Sequence, residues 1–206
     1  MLTLTLGRFI NEGFSTVYRL LSTVYFIMEI ETERLRMRPH KREDAEEHLR
    51  IVADMEFRRH FPAAFQPTRD SVLVGIGRFI EHWHQFGYGV WLLEEKETAC
   101  VVGYCGLRHL MPTDEVEVLY GIDRAHWGRG LAVEAARASL RYGFERMQFK
   151  RIMAVTAHEN KGSRRVMEKC GMRYEKDAVY FDTPCVYYLI DRADFPTDGS
   201  PFFLSP

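Results

Sequence analysis

Asp123-Arg124-Ala125-His126-Trp127-Gly128-Arg129-Gly130-Leu131-Ala132-Val133-Glu134-Ala135 is the stretch on which the reading of this chain turns. Before it, Val116, Val118, Tyr120 and Ile122 alternate with Glu115, Glu117, Leu119 and Gly121, and a period of two over that length predicts a strand. After it, Ala136, Leu140, Phe144 and Met147 recur at helical spacing, so the glycine turn joins a strand to a helix. The first N–H groups of a helix have no internal partner and carry the positive end of its dipole. Gly128 and Gly130 remove side chains where phosphate oxygens would approach the backbone, and Arg129 adds charge. The physical reading is an anion cradle; the plainer one is a tight connection. Neither Gly-x-Gly-x-x-Gly nor the Gly-Lys-Ser/Thr of a P-loop is present, so a real cradle implies something other than a dinucleotide or ATP.

The chain has 206 residues and a net charge of −1. That length suits one domain with appendages and is enough to bury a substantial core. The charge gives no reason to expect nucleic acid as the main partner. Basic clusters do occur at Arg146, Lys150 and Arg151 and at Lys161, Arg164, Arg165 and Lys169; they read either as solvated helix faces or as the flanks of the cradle. Cys100, Cys105, Cys170 and Cys185 show neither Cys-x-x-Cys spacing nor the density of a disulfide scaffold, and Cys170 falls on an apolar helical stripe. A reducing cytoplasm is the expected compartment. His82 and His84 point apart on a helix, and no spacing in the sequence suggests a metal site.

Taken in order, residues 1–27 are apolar but interrupted by Arg8, Glu12 and Arg19, too broken for a membrane span of about 20 apolar residues and without a signal-peptide cleavage site. The expectation is that residues 1–28 form an extension outside the domain, with Met28 the natural start; the alternative is an amphipathic helix docked on the domain or on a membrane surface. Leu35 and Met37 alternate with arginines in a strand closed by Pro39. Ala45, Leu49 and Val52 mark a short helix. Asp54 to Pro67, with Phe57, Phe61 and Phe65, breaks the pattern. Thr68 caps a second helix with the stripe Val72, Leu73, Ile76, Phe79, Ile80 and Trp83; within it, Gly75 and Gly77 suggest close helix packing. Strands are expected at Val90–Leu93, Val101–Leu107 and Val116–Ile122 in a meander-like antiparallel run with short turns, and after the central helix at Arg151–Thr156. A helix with Ser163, Val166, Met167 and Cys170 on one face is closed by Lys169 and Gly171. Met172–Tyr180 and Val186–Ile190 form a final hairpin. A domain over 29–195 followed by a loose tail over 196–206 completes the organisation. The fold class is α/β (α+β): a mixed, mostly antiparallel sheet of about six to seven strands with helices on both faces.

Three stretches carry a family resemblance. Trp127-Gly-Arg-Gly-Leu-Ala132-x-Glu134-Ala resembles the acyl-CoA pyrophosphate loop of the GNAT N-acetyltransferases, closest to the RimJ/RimL-like ribosomal-protein branch. In the general loop, Gln/Arg-x-x-Gly-x-Gly/Ala, Gly130 and Ala132 fill the last two fixed positions, and Trp127 replaces the leading Gln/Arg. Glu31-Thr-Glu-Arg-Leu-Arg-Met-Arg-Pro39 resembles the branch's opening strand, and Asn160 to Tyr174 its asparagine-led helix and following strand. Together they span roughly residues 29–195.

The resemblance implies acetyl-CoA as co-substrate, an amine acceptor (a protein N-terminus or a small molecule), and direct transfer. It implies backbone pairing of residues 120–122, including Tyr120 and Ile122, with the pantetheine arm. It also implies that the amides of Gly128, Arg129, Gly130, Leu131 and Ala132 hold the pyrophosphate. Glu117 matches the branch's strand glutamate, a base acting directly or through water; Glu115 shares its face and competes, and either reads otherwise as an exposed strand carboxylate. Asn160 matches the residue that contacts the cofactor arm, or is an ordinary N-cap. Ser163 matches the serine that protonates the leaving thiolate and contacts cofactor, or is a small packing residue; Tyr174 and Tyr180 stay open as donors. Glu134 suits a dipole partner better than a catalyst. The loops Asp54–Pro67 and Ala178–Cys185 would set acceptor specificity, and an edge strand or the final hairpin would carry a homodimer. A different class of reading keeps the cradle without turnover, as an acyl-CoA-binding sensor; another keeps the fold with a different acyl group or acceptor.

Overall fold

A computed structural model describes residues 28–60, 66–110, 113–180, 183–196 and 199–205. The segment 1–27, and with it the question of the start, lies outside the described residues, as do Phe61 and Phe65.

Nine strands form a single sheet: β1 (Glu29–Glu31), β2 (Leu35–Pro39), β3 (Val90–Glu95), β4 (Val101–Leu110), β5 (Glu115–Ile122), β6 (Arg151–Ala157), β7 (Arg173–Tyr180), β8 (Thr183–Asp191) and β9 (Phe203–Ser205). Their spatial order is β7-β8-β6-β5-β4-β3-β2-β1-β9. The count exceeds the six or seven expected because of two three-residue strands too short to show a period. Glu29 pairs with Ser205 and Ile30 with Leu204, so the expected loose tail closes the sheet edge instead. Such strands exist through their partner, not through their own sequence.

The helices are α1 (Ala45–Ala53), α2 (Met55–Arg58), α3 (Arg69–Phe86), α4 (Leu131–Arg141) and α5 (Lys161–Lys169). They cover both faces, as expected. One core gathers Val118, Leu131, Ala135, Leu140, Ile152 and Tyr188 beneath α4 and α5. A second gathers Ile51, Val72, Ile76, Val90 and Tyr104 beneath α1 and α3, and a smaller third gathers Leu110, Met153, Tyr187 and Leu189. Leu131, the first residue of α4, is fully buried, and truncating such a leucine costs about 2–5 kcal/mol; the core thus fixes where α4 begins.

Capping follows the sequence. Thr68 Oγ1 accepts from the Ser71 amide at 3.1 Å, and Ser71 Oγ accepts from the Thr68 amide at 2.8 Å. Gly87 and Gly171, at φ 70° and 85°, take the left-handed conformation that ends α3 and α5. Two expectations change. A Cβ on Gly75 or Gly77 would meet nothing within 4 Å, so these glycines leave open surface and are not a close helix contact. The helix read through to Met147 also stops at Arg141, and Tyr142–Arg146 is a π-helical turn. There Tyr142 donates to the Gly87 carbonyl at 2.9 Å, and Gly143 sits where a Cβ would lie 2.7 Å from Ile152 Cδ1. Tertiary contacts reshape what local spacing read as one helix.

One feature of the topology positions the site. β5 and β6 are the parallel neighbours, and their register shows one pair, Glu117 with Met153. Beyond it β5 runs on to Ile122 beside β4 alone, while β6 turns to β8. A wedge opens between the two strands, and the β5 backbone along it has no strand partner on that side among the described residues.

Candidate active site

The wedge opens into a cleft of about 1210 Å³. One end is lined by Trp127, Gly128, Gly130, Leu131 and Ala132, the other by Phe57, Phe79 and Tyr104, with Glu117, Tyr120, Asn160 and Ser163 between.

At the cradle end the chain leaves β5 through Asp123, whose carboxylate accepts from the Ala125 amide at 3.2 Å. Gly128 and Gly130 have φ 77° and 81°, a region a side chain adopts only with strain. A Cβ on Gly128 would touch nothing within 4 Å, and one on Gly130 would come no nearer than 3.6 Å to Arg34 Nη2. Backbone conformation, not crowding, therefore demands these glycines. Gly130 caps α4, so the amides of Leu131, Ala132 and Val133 are the unpaired first donors of the helix. They fit the phosphate groups that the sequence implies.

Braces hold this end from behind. Glu134 accepts from Thr32 Oγ1 at 2.6 Å, the Arg34 amide at 2.8 Å and Arg34 Nε at 2.7 Å. Arg34 Nη1 also donates to the Arg129 carbonyl at 2.8 Å. The Arg129 guanidinium pairs with Glu95 and does not line the cleft, so its expected charge is turned away from the cradle. Arg165 and Lys169 line the cleft, whereas Arg151 pairs with Asp191 at 2.7 Å. Trp127, half-exposed, donates through Nε1 to the Ile122 carbonyl at 2.7 Å.

At the apex of the wedge, Glu117 is 3% exposed. Arg108, its cross-strand partner on β4, donates through Nε to Oε2 at 2.6 Å. Burial pushes the Glu117 carboxyl up, and Arg108 and the Val155 amide offset only part of that. A carboxylate raised in this way is a stronger base than an exposed one. Glu115 points elsewhere: Tyr187 and Tyr180 donate to it at 2.6 and 3.2 Å, and it is not among the cleft residues.

Farther along, Tyr120 donates to the Ser163 carbonyl at 2.9 Å and lies 2.9 Å from Ser163 Oγ. Burial raises its phenol well above the ordinary range, so it stays protonated. A carbonyl only accepts, so with the tyrosine proton placed there the Ser163 hydroxyl donates to Tyr120 Oη, and the two hydroxyls are held as a pair at the cleft. Asn160 Oδ1 accepts from the Ser163 amide at 3.0 Å and caps α5. The Tyr120 side chain is what sequence reasoning missed: Tyr120 entered for its backbone, and no local spacing links it to a residue 43 positions away. Arg108 was missed too, although once register is known it is the direct neighbour of Glu117. Tyr174 bonds to Asp177 at 3.0 Å and lies outside the cleft lining, whereas Tyr180 lines it.

All four cysteines are free. Burial pushes the thiols of Cys105 and Cys170 up to about 12 and raises Cys185, which suppresses the nucleophilic thiolate. Cys170 is buried on its helix stripe as expected. Among the described residues no group of histidine, cysteine and carboxylate is arranged to hold a metal, and no helix is long and apolar enough to cross a membrane.

The family model described as Acetyltransferase (GNAT) domain matches residues 34–173. The uncharacterized protein YkkB of Bacillus subtilis (strain 168) is 40% identical over 114 residues, 52% of this chain and 66% of that protein, so the chain spans just under two thirds of this relative's length. The uncharacterized N-acetyltransferase YoaA of the same organism is 26% identical over 71% of this chain and 83% of its own length. Among solved structures, an acetyltransferase from Agrobacterium tumefaciens str. C58 superposes with TM-score 0.70 at 25% identity, covering 79% of this chain and 93% of that one. Mycobacterium smegmatis RimJ in complex with CoA-disulfide gives TM-score 0.71 at 17% identity, covering 84% and 91%; at that identity the likeness speaks for the fold. The chain belongs to the GNAT acetyltransferase family, whose members use acetyl-CoA as co-substrate, and it is an acyltransferase.

Proposed function

We propose that the protein moves an acetyl group from acetyl-CoA to a primary amine by direct attack, with no covalent enzyme intermediate. The observation that carries this is the wedge itself: an open strand edge leads from a buried, raised carboxylate at its apex to unpaired helix amides at its mouth. The β5 edge over 120–122 pairs with the pantetheine arm, and the amides from Gly128 to Ala132 hold the pyrophosphate. Asn160 orients the start of α5 beside the arm. Glu117 removes the proton from the attacking ammonium, directly or through a water, while Arg108 keeps its carboxylate in place. The amine nitrogen bonds to the thioester carbon, the C–S bond breaks, and the nitrogen's second proton reaches the departing thiolate through the Ser163 hydroxyl, which gives one proton as it takes up the other, with Tyr120 fixing the serine; Glu117 then returns its proton to solvent.

An α-amine titrates near about 8 and a lysine amine near about 10.4, so the base matters most for the latter. The acceptor is a protein N-terminus, as in the RimJ/RimL-like branch, or a small-molecule amine. Suppressed thiols support attack without an acyl-cysteine, and four free cysteines suit the cytoplasm. A homodimer through a sheet edge is compatible with this scheme.

The test is amine-dependent release of free CoA thiol, run beside calorimetric titration with acetyl-CoA. The expected outcome is micromolar binding with release that depends on an amine. Binding without release for any amine in a broad screen would favour the acyl-CoA sensor, and absence of binding by folded protein would overturn both readings.

A further inference from the structure

Beyond Glu117, the cleft contains groups that the transfer step leaves unused. Register places Tyr104 opposite Gly121, Gly106 opposite Leu119 and Arg108 opposite Glu117, so these six share one face of the sheet and form a floor. Phe57 and Phe79 wall it. A Cβ on Gly121 would lie 2.7 Å from both Tyr104 Cζ and Phe57 Cζ, so the glycine admits both ring tips.

Most charge here is already matched. Arg108 holds Glu117 at 2.6 Å, and Arg59 holds Glu56 at 3.1 Å. Burial keeps His48 neutral, down to about 4. Besides His48 Nδ1 and the His60 ring, two polar groups stay uncommitted. Arg78 lines the cleft and forms no ion pair with any described residue. It shares a helix face with Ser71 and Gly75, at the spacing that brings side chains together, and Gly75 leaves that surface open. Tyr104 is 8% exposed, lines the cleft, and its hydroxyl makes no hydrogen bond within the described residues. Three guanidinium groups therefore face two carboxylates in this half. That excess repels polycations and favours the neutral form of an incoming amine.

Building on the acetyltransfer reading, we infer that the acceptor is an amine that also carries a carboxylate, and that Arg78 selects it while the Tyr104 hydroxyl bonds to the polar body between the two groups. The carboxylate is that of a free amino acid or of an acidic side chain near a peptide N-terminus.

The test uses the full chain saturated with CoA and measures binding of acetylated products by calorimetry, a readout that does not need turnover. N-acetylphenylalanine is expected to bind roughly 10-fold tighter than N-acetylphenylalaninamide, the scale of one charge-assisted contact. The ratio should fall to about one in Arg78→Gln, return in part in Arg78→Lys, and persist in Arg69→Gln, a surface arginine paired with Glu46. N-acetyl-alanyl-aspartate α-amide, whose side-chain carboxylate is free, against its asparagine counterpart separates the sources: preference in the first pair alone assigns a free amino acid, and in the second alone an acidic peptide. Equal binding within both pairs, or a ratio that survives Arg78→Gln, overturns the inference. Absence of thiol release from every amine while the ratio behaves as stated would sink the transfer reading and leave the carboxylate subsite standing.

Discussion

The two ends of the cleft are built differently. The cradle end lies on one continuous stretch and is braced by ion pairs that turn away from the cleft: Arg34 with Glu134 at 2.6 Å, Arg129 with Glu95, and Arg50 with Asp123. The far end is assembled from α1, α2, α3 and the floor of β4 and β5, and two of its polar groups are uncommitted. An end that binds the same phosphates in every turnover gains from rigidity, because a preorganised site loses less entropy on binding. An end that tells acceptors apart gains from groups left unpaired until the acceptor arrives.

The largest effect should come from Gly130→Asp. It forces a side chain into φ 81° and sets a carboxylate at the helix N-terminus, where we propose the phosphates bind. Acetyl-CoA affinity measured by calorimetry should drop at least about 1000-fold; an unchanged affinity would reduce the glycine turn to a connection.

Glu117→Gln should lower the transfer rate about 100-fold with acetyl-CoA affinity retained, which separates the apex from the cradle. Because Glu117 works as a base only when ionised and its carboxyl is raised, wild-type activity should fall in acid at a pH above the ordinary glutamate value of about 4.3. A rate that survives the substitution would assign the proton to water alone. Ser163→Ala should cost roughly 10-fold in rate, read by single-turnover thiol release.

Acid should weaken the far end. Burial lowers His40 to about 3 and His48 to about 4. Below the unfolded value near about 6.5 the unfolded chain takes up protons that the folded chain refuses, so stability falls with pH until those lowered values are reached. The loss is at most about 1.4 kcal/mol per pH unit for each histidine. Urea unfolding at pH 7 and pH 5 should show it, and His40→Gln should flatten the difference.

The smallest effect belongs to Arg129→Ala, about 3-fold in acetyl-CoA affinity, since its guanidinium pairs with Glu95 outside the cleft. A loss as large as that of Gly130→Asp would mean that the arginine swings to the phosphates, and the contrast between bracing and binding would fail.

Much of the fold could be read directly. The alternation from Val116 to Ile122, the Thr68 cap and the closing glycines at 87 and 171 each depend on residues a few positions apart. The strand count failed at Glu29–Glu31 and Phe203–Ser205, which have no pattern of their own and pair across the chain. The helix end failed at Tyr142, where a bond to the Gly87 carbonyl and the approach of Ile152 outweigh local spacing. The site divides in the same way. That the glycine turn and Glu117 are candidates could be read from local pattern, and both line the cleft, whereas the Tyr120–Ser163 contact, the guanidinium on Glu117 and the outward turn of Arg129 could not be read.

Local order thus determined that a strand, a positive-φ glycine turn and a helix would follow one another, because backbone conformation and unpaired helix amides arise within a dozen residues. The tertiary structure decided which carboxylate faces the cleft, what holds it, and which cleft arginine has no ion pair among the described residues. Those outcomes depend on register between strands and on burial by segments that local pattern does not connect, and a carboxylate such as Glu117 changes its proton affinity only when other parts of the chain exclude water from it.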